Sequence, residues 1–291
     1  MNISIIIPTY NSENYIFKCL ASIKKQKYNK KKEILIIDGG SKDNTIKIAK
    51  KFDCKIFKNK LRTGEAGKAL GLLKSKYKNI LFLDSDNEFP NNDYIKNILL
   101  PFKEKNIISA EPIRFCYKKN MGHIDRYCAL MGMNDPMNYF IGNYDKHCIL
   151  SNKWTELGVK KQINNKYIKI LINKTSSKLT YGANGTLYKK KYINHLVKKK
   201  YFFDVDILKN IKKKYNSKYY IAKVNFCIKH YYCENSYFKF FTKQRRRIND
   251  FNKFNTLREK KYTYLDIIKF IYPCILIFPV FLQTIKLIIK S

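Results

Sequence analysis

An α/β fold with a mostly parallel central sheet flanked by helices is the architecture that the sequence predicts. Short runs rich in Ile, Leu and Phe alternate with segments of helical periodicity near the N-terminus, which is the pattern of βα units. These runs are apolar almost throughout, as expected of strands buried on both faces. The chain has 291 residues, of which 45% are hydrophobic, so it can bury the core of a large domain.

The predicted elements follow in order along the chain. Strands are expected over residues 3–7, 33–37, 54–57, 80–83 and 107–113. Ser12 is placed to cap a helix after the first strand, and Asp43 or Asn44 is placed to cap a second helix. A third helix is expected over 66–76, and a hydrophobic helical segment is expected at the C-terminus.

Polar residues gather where the predicted strands end. They are Thr9, Tyr10 and Asn11 after the first strand, Asp38 after the second, and Asp84 and Asp86 after the fourth. Open α/β sheets bind their ligands in the crevice at the carboxyl ends of the strands. These side chains are therefore expected to line one site.

The motif Asp84-Ser85-Asp86 places two carboxylates together at a strand end. Mg²⁺ and Mn²⁺ take oxygen ligands, commonly one or two carboxylates with substrate phosphates completing the shell. The same edge offers Asp38 for a ribose or base contact and Lys68 for a phosphate. The sequence has no GxGxxG after the first strand and no GxxxxGK[ST], which disfavours a dinucleotide cofactor and a P-loop. A nucleoside diphosphate held by a divalent cation is therefore predicted.

Three N-terminal motifs carry a family resemblance. They are SIIIPTYN over 4–11, IIDGGS over 36–41 with Asp43 and Thr45 after it, and LDSDN over 83–87. The chain resembles family 2 glycosyltransferases, strongly over 1–115 and more loosely through 182–185 and 203–206 to His230 and Arg247. The resemblance implies a GT-A fold and inverting transfer of a sugar from a nucleoside diphosphate, with a UDP sugar as the expected donor.

The expected division is a nucleotide-sugar-binding part at 1–115, an acceptor-side part of the same catalytic domain at 116–262 and a membrane-associated helical tail at 263–291. By the resemblance, the donor contacts are Pro8, Thr9, Tyr10, Asn11, Asp38, Lys68, Asp84 and Asp86. The expected ligands of Mn²⁺ or Mg²⁺ are Asp86, Asp84 and His230. Lys68 stands where the family usually has Arg, and Ala69 stands where many members have Asn.

An inverting transfer needs a base that takes the proton of the acceptor hydroxyl. Members of the family usually place this base in a Glu-Asp pair before a late helix, and the equivalent stretch here is Phe203-Asp204-Val205-Asp206, without the Glu. Asp204 and Asp206 are both candidates, with a slight preference for Asp206. The alternative is that this acidic turn only caps a helix.

Further contacts to the acceptor or the diphosphate are expected from Asn184, Gly185, Trp154, Arg245 and Arg246. Trp154 offers a ring that stacks on a sugar or belongs to the core. The two arginines offer charge to the diphosphate or belong to a solvated helix face. The expected acceptor is a glycan, a lipid-linked molecule or a protein.

The 59 Lys and Arg against 22 Asp and Glu give a net charge of +37, which attracts polyanions without selecting among them. A non-catalytic protein that binds nucleic acid or an anionic membrane is the main alternative, and a nucleotidyltransferase is the second. The aspartates at the sheet edge would repel a polyanion unless a cation intervened, so we expect no nucleic-acid partner.

The eight Cys form no CxxC pair, which predicts reduced thiols. Cys227, His230 and Cys233 follow one another at intervals of three, which is a weak zinc pattern.

The 267–289 segment has the length of a bilayer span and is expected to contact a membrane, as a peripheral helix or a single-pass C-terminal anchor. The excess Lys and Arg before it predicts that the catalytic part lies on the cytoplasmic face.

Overall fold

A ten-stranded mixed sheet flanked by helices forms the centre of the molecule. The computed structural model describes residues 1–182, 184–199, 201–215, 218–254, 256, 263–275, 282, 284–286 and 288–289. The strands are β1 (Ile3–Thr9), β2 (Lys32–Asp38), β3 (Lys55–Lys58), β4 (Asn79–Phe82), β5 (Asn87–Glu88), β6 (Ile107–Phe115), β7 (Lys161–Ile163), β8 (Tyr167–Leu171), β9 (Thr186–Lys189) and β10 (Tyr220–His230). The helices are α1 (Glu13–Lys24), α2 (Thr45–Lys50), α3 (Gly64–Lys74), α4 (Tyr94–Leu99), α5 (His123–Met131), α6 (Pro136–Phe140), α7 (Lys190–Ile193), α8 (Ile207–Lys214), α9 (Tyr237–Lys253) and α10 (Tyr264–Ile275).

The strand order is β3-β2-β1-β4-β9-β6-β10-β8-β7, and β5 pairs with β10. β3, β2, β1 and β4 run parallel, whereas β9 lies antiparallel between β4 and β6. The predicted α/β class is confirmed, with parallel strands in the N-terminal half of a mixed sheet. The chain passes from β1 to β2 and β3 on one side and returns with β4 on the other, so a crevice opens where β1 and β4 end.

β1 is the central strand of this parallel half and is buried on both faces. Its side chains alternate: Ile5 and Ile7 pack in the cluster that contains Ile16 of α1, whereas Ile6 packs with Leu72 of α3. Helices on both faces therefore hold the sheet, and the loops at its carboxyl edge extend from a fixed frame.

Local hydrogen bonds set the helix starts near this edge. α3 begins at Gly64, earlier than expected, because Thr63 caps it by accepting a hydrogen bond from Ala66 N (3.3 Å). Ser12 holds the N-cap position of α1, but its hydroxyl does not bond the helix. The carboxylate of Asp43 instead accepts from Glu13 N (3.1 Å) at the start of α1.

The prediction of reduced thiols is wrong for two of the cysteines. The structure joins Cys116 and Cys227 in a disulfide, because the neighbouring strands β6 and β10 bring their Cα atoms within 4.9 Å. This bond also removes Cys227 from the weak zinc pattern with His230 and Cys233.

The predicted parts 1–115 and 116–262 share one sheet, since β9 and β10 pair with β4 and β6. Of the predicted tail, residues 276–281, 283, 287 and 290–291 lie outside the described residues. Within the described part of the chain, no helix combines the length and apolar character that crossing a membrane requires.

Gly71 sets how closely α3 approaches β1. A Cβ at this position would lie 2.2 Å from Ile6 Cγ2 and 3.3 Å from Ile37 Cγ1. We predict that Gly71→Ala lowers the free energy of unfolding by about 1–3 kcal/mol, because overpacking outweighs the better helix propensity of Ala. The matched control is Gly64→Ala, whose added Cβ meets nothing within 4 Å and should be neutral or stabilising. Urea unfolding measures both, and equal stability of the two variants would contradict the prediction.

Candidate functional site

The loops after β1 and β2 are hydrogen-bonded to each other and form one wall of the crevice. Gly39 N donates to Thr9 O, Asn11 N donates to Ser41 Oγ, and Lys42 N donates to Asn11 Oδ1, each at 2.9 Å. Asn11 has a φ of +47°, which Asn adopts more readily than most residues. The two loops are thus fixed relative to each other.

Asp38 holds the loop after β2 through hydrogen bonds to its carboxylate. Its carboxylate accepts hydrogen bonds from Gly40 N, from Ser41 N and from Ser41 Oγ (2.6 Å). Beside it, Thr9 Oγ1 is buried and makes no hydrogen bond to any described residue, while Tyr10 is 53% exposed. An unused hydroxyl next to an exposed ring suits a planar ligand with hydrogen-bonding edges.

The chain turns sharply after β4 and carries both predicted aspartates. Asn87 N donates to Asp84 O (3.0 Å), and Asp84 N donates to Asn87 Oδ1 (3.1 Å). A hydrogen bond of 2.9 Å between Ser85 Oγ and Ser12 Oγ ties this turn to the start of α1. Asp84 and Asp86 thus share one turn, yet they face different partners.

Lys68 of α3 is a buried cation between two carboxylates. Its Nζ lies 2.5 Å from Asp204 Oδ2 and 3.9 Å from Asp84 Oδ1. Although burial disfavours the charged ammonium, Asp204 and Asp84 raise the pKa of Lys68. The neighbouring Gly67 allows α3 to pass close to β1, since a Cβ there would lie 3.0 Å from Pro8 Cβ. Pro8 therefore belongs to the packing that positions Lys68.

Asp204 is the acidic residue of the 203–206 turn that reaches Lys68. Burial raises the pKa of Asp204 to about 7, against the opposing charge and hydrogen bond of Lys68. Its Oδ1 is buried and has no hydrogen-bond partner among the described residues. Asp206 holds the N-cap position of α8 and is 2% exposed. A carboxyl group with a pKa near neutrality and an unused oxygen can take up a proton at physiological pH.

Asp86 and His230 form a second pair at the same edge. Tyr231 N donates to Asp86 O (2.9 Å), which brings the end of β10 against the turn after β4. Asp86 Oδ1 lies 3.5 Å from His230 Nε2, and this oxygen is buried without a hydrogen bond to any described residue. An orphaned carboxylate oxygen beside an imidazole nitrogen fits a shared divalent cation, because neighbouring ligands of an octahedral ion at about 2.0–2.1 Å lie about 3 Å apart, which is close to the separation seen here.

Asp84 does not join this pair, because its ionic partner is Lys68. Of the three predicted metal ligands, the structure therefore brings together Asp86 and His230. Across the described residues, no group of three His, Cys, Asp or Glu side chains is arranged to hold a metal ion. A cation at Asp86 and His230 would need further oxygen ligands from a substrate or from water.

Asn184 and Gly185 position the turn that leads into β9. Asn87 Nδ2 donates to Asn184 Oδ1 (2.9 Å), and Gly185 N donates to Phe82 O (3.1 Å). Gly185 has a φ of +80°, and a Cβ there would lie 2.2 Å from Tyr94 Oη, so only glycine fits. Both residues thus hold the chain before β9 against the turn that carries Asp84 and Asp86.

Sequence reasoning missed a buried ionic group beneath the turn that leads into β9. Glu111 Oε2 accepts from Gly182 N (3.1 Å) and lies 3.4 Å from Lys146 Nζ, and Glu111 Oε1 accepts from Lys223 Nζ. Burial lowers the pKa of Lys223, although Glu111 opposes this. The available signal was Glu111 and Lys223, each placed among the mostly apolar residues of β6 and β10. The group anchors the backbone of the turn to the sheet.

Trp154 belongs to the core and does not offer its ring to a sugar. It is 4% exposed, its Nε1 donates to Asp145 O (3.3 Å), and Lys223 Nζ lies 4.8 Å from the ring centroid. The expectation that this ring stacks on a sugar is therefore wrong. The ring covers the buried ammonium of Lys223 instead.

α9 contacts the crevice through one face. Lys243 Nζ lies 3.4 Å from Asp86 Oδ2, and Gln244 Nε2 (2.6 Å) and Arg247 Nη1 (3.0 Å) both donate to Asn134 O. Arg245 and Arg246 are exposed, and none of the hydrogen bonds and ion pairs of the described residues links them to the crevice. Helical spacing explains the difference, since positions 243, 244 and 247 share a face that 245 and 246 do not.

A family model described as "Glycosyl transferase family 2" matches residues 4–153. The chain is 34% identical over 104 residues to the poly(ribitol-phosphate) beta-N-acetylglucosaminyltransferase TarS of Staphylococcus aureus, which covers 33% of this chain and 18% of the relative. It is 39% identical over 102 residues to a dolichyl N-acetyl-alpha-D-glucosaminyl phosphate 3-beta-D-2,3-diacetamido-2,3-dideoxy-beta-D-glucuronosyltransferase of Methanococcus voltae, covering 33% of this chain and 32% of the relative. The chain thus matches a third or less of these relatives.

Solved structures share the fold. The mannosyltransferase PcManGT from Pyrobaculum calidifontis, in complex with GDP-Man and Mn²⁺, superposes with a TM-score of 0.54 at 14% identity, covering 90% of this chain and 65% of that one. The crystal structure of S. aureus TarS superposes with a TM-score of 0.51 at 16% identity, covering 86% of this chain and 39% of that one. The predicted GT-A architecture is confirmed.

Proposed function

Because the chain belongs to glycosyl transferase family 2, we propose that it transfers a sugar from a nucleoside diphosphate to an acceptor hydroxyl with inversion of the anomeric centre. One observation carries the proposal: Lys68 of α3 and Asp84 and Asp86 of the turn after β4 lie in one crevice together with Asp204. Cationic and anionic groups of this kind suit a donor that has a diphosphate, a sugar and a bound cation.

The donor lies along the loops after β1 and β2 in this proposal. Tyr10 and Thr9 offer a ring and a hydroxyl to the nucleoside, next to the loop that Asp38 shapes, and a UDP sugar is our first candidate. Lys68 supplies a point charge to the diphosphate, where an arginine would supply a fork of donors. Asp84, at 3.9 Å from Lys68, faces the ribose or the sugar.

Asp86 and His230 would hold Mn²⁺ or Mg²⁺, which would supply positive charge to the departing diphosphate. Lys68, which pairs with Asp84 of the turn after β4, would also supply positive charge to the departing diphosphate. The buried position of Lys68 supports this role, since charges act more strongly where water is excluded.

We assign the base to Asp204. The acceptor oxygen bonds to the anomeric carbon while the bond from that carbon to the phosphate oxygen breaks, and Asp204 takes the hydroxyl proton. Three observations support Asp204 over Asp206: its contact with Lys68, its unused Oδ1 and its pKa of about 7. The slight preference for Asp206 that the sequence alone suggested is therefore reversed in this proposal.

The first test concerns Asp204. We predict that kcat/KM for metal-dependent hydrolysis of a UDP sugar rises with pH and levels off above about 7, because Asp204 accepts a proton only when ionised and its pKa is about 7. Asp204→Asn should lower the rate on the plateau above pH 7 by about 10²-fold or more and should remove the rise with pH, with donor affinity retained. Asp206→Asn is the matched control. If Asp206→Asn lost activity and Asp204→Asn kept the wild-type activity, the base would be Asp206.

The second test concerns the cation. UDP with Mn²⁺ should raise the melting temperature of the wild-type protein, and Asp86→Asn should abolish most of this shift, because it removes the carboxylate that pairs with His230. Asp93→Asn, which removes an exposed carboxylate paired with Lys96, should leave the shift intact. A full shift in Asp86→Asn would contradict the proposed cation site.

We also propose that the protein works at the surface of a membrane on a lipid-linked or other envelope acceptor. Large apolar side chains are exposed along α9 and α10: Tyr237, Phe238, Phe241 and Ile248 on α9, and Tyr264, Leu265, Ile267, Ile268, Ile271 and Tyr272 on α10. Arg245 and Arg246 lie exposed beside the α9 group. Aromatic side chains next to cations suit the interface of an anionic bilayer, and the net charge of +37 adds attraction.

Vesicle co-sedimentation tests this location. The wild-type protein should bind vesicles that contain phosphatidylglycerol more tightly than pure phosphatidylcholine vesicles. Phe238→Ser with Phe241→Ser should weaken binding about tenfold, because two exposed rings no longer enter the interface. Leu73→Ser on α3, which is 61% exposed, is the matched control and should bind like the wild type. Unchanged binding of the double variant would contradict the role of α9.

A further inference from the structure

Lys243 is the cation that α9 brings into the crevice. Its Nζ donates to Tyr232 O (2.5 Å) and lies 4.3 Å from the centroid of the Tyr232 ring, with Asp86 Oδ2 3.4 Å away. The helix that carries it, α9, is capped by Ser236, whose side chain accepts from Lys239 N (3.2 Å). A carbonyl, an aromatic face and a helix cap thus fix the place of this ammonium group beside Asp86.

Asp86 is consequently flanked by two basic side chains. His230 Nε2 lies 3.5 Å from Oδ1, Lys243 Nζ lies 3.4 Å from Oδ2, and the Asp86 side chain is 18% exposed. The carboxylate that would ligate a metal ion is therefore already compensated by a charge that belongs to the protein.

We propose that Lys243 is a displaceable counter-ion of Asp86, which makes the binding of a divalent cation there depend on the diphosphate of the donor. The inference rests on the proposed function, because it takes Asp86 and His230 as the residues that hold the cation. Lys243 acts in it as a positioning residue.

The dependence follows from charge. Without a diphosphate, a divalent cation at Asp86 must approach an ammonium group that is tied to Tyr232, and like charges a few ångströms apart repel in a site of reduced dielectric. A diphosphate brings several negative charges, which supply oxygen ligands to the cation and give Lys243 a new anionic partner. The free energy of this coupling is reciprocal, so the diphosphate must tighten cation binding by the factor by which the cation tightens diphosphate binding.

The test compares Lys243→Gln with Lys239→Gln in the full chain. Glutamine at 243 removes the charge but keeps a donor for Tyr232 O, and Lys239 is an exposed cation one turn earlier on the same helix. We expect Lys243→Gln to bind Mn²⁺ alone about tenfold more tightly than the wild type, and Lys239→Gln to bind like the wild type. Titration calorimetry and the electron paramagnetic resonance signal of free Mn²⁺ measure this without any turnover.

A second measurement uses inorganic pyrophosphate as an analogue of the diphosphate of any donor. The factor by which pyrophosphate tightens Mn²⁺ binding should fall about tenfold in Lys243→Gln and should return in Lys243→Arg, which restores the charge. A purely structural role of Lys243 would leave this factor unchanged in folded variants, and thermal melting establishes that each variant is folded.

Adding Asp86→Asn to each variant separates this inference from the proposed function. If Mn²⁺ binding requires Asp86 but is equal in the wild type and Lys243→Gln, the counter-ion role is refuted and the cation site stands. If Mn²⁺ binding does not require Asp86, the cation site and the counter-ion role both fail. Tighter, Asp86-dependent binding in Lys243→Gln alone supports the proposal.

Discussion

The crevice depends on one buried ammonium group, that of Lys68. Removing a charged amine from water costs several kcal/mol unless an anion is close, and here Asp204 lies at 2.5 Å with Asp84 behind it at 3.9 Å. The pair joins residues 136 positions apart in the chain, so it closes the turn before α8 over the edge of the parallel strands. The same burial that makes the pair necessary raises the pKa of Asp204 into the range that a base requires.

The insertion of β9 into the sheet explains why residues of the 1–115 and 116–262 parts meet. β9 runs antiparallel between β4 and β6, and the turn that leads into it lies against the turn that carries Asp84 and Asp86. Glu111 and Lys223 hold that turn from below with buried charges. Such a group contributes little stability but is costly to break, so it fixes one arrangement of the backbone.

Helix α9 has one face that contacts the crevice and another that is exposed. One face places Lys243 beside Asp86 and joins Arg247 to Asn134, whereas the other exposes Phe238 and Phe241. A helix with these two faces would couple the chemistry in the crevice to the proposed membrane surface. The net charge of +37, which selected no partner by itself, would then favour an anionic bilayer over nucleic acid because the apolar groups accompany it.

The sequence by itself determined the parallel half of the fold and the edge that carries the site. Apolar runs and helical spacing are local patterns, and a polar residue after such a run, as at Thr9, Asp38 and Asp84, must lie at a strand end. What only the tertiary structure decided depends on contacts between distant residues. The tertiary structure placed Asp204 beside Lys68, put Trp154 in the core, joined Cys116 to Cys227 and brought Lys243 to Asp86. Burial and pairing across the chain set these outcomes, and no local pattern encodes either.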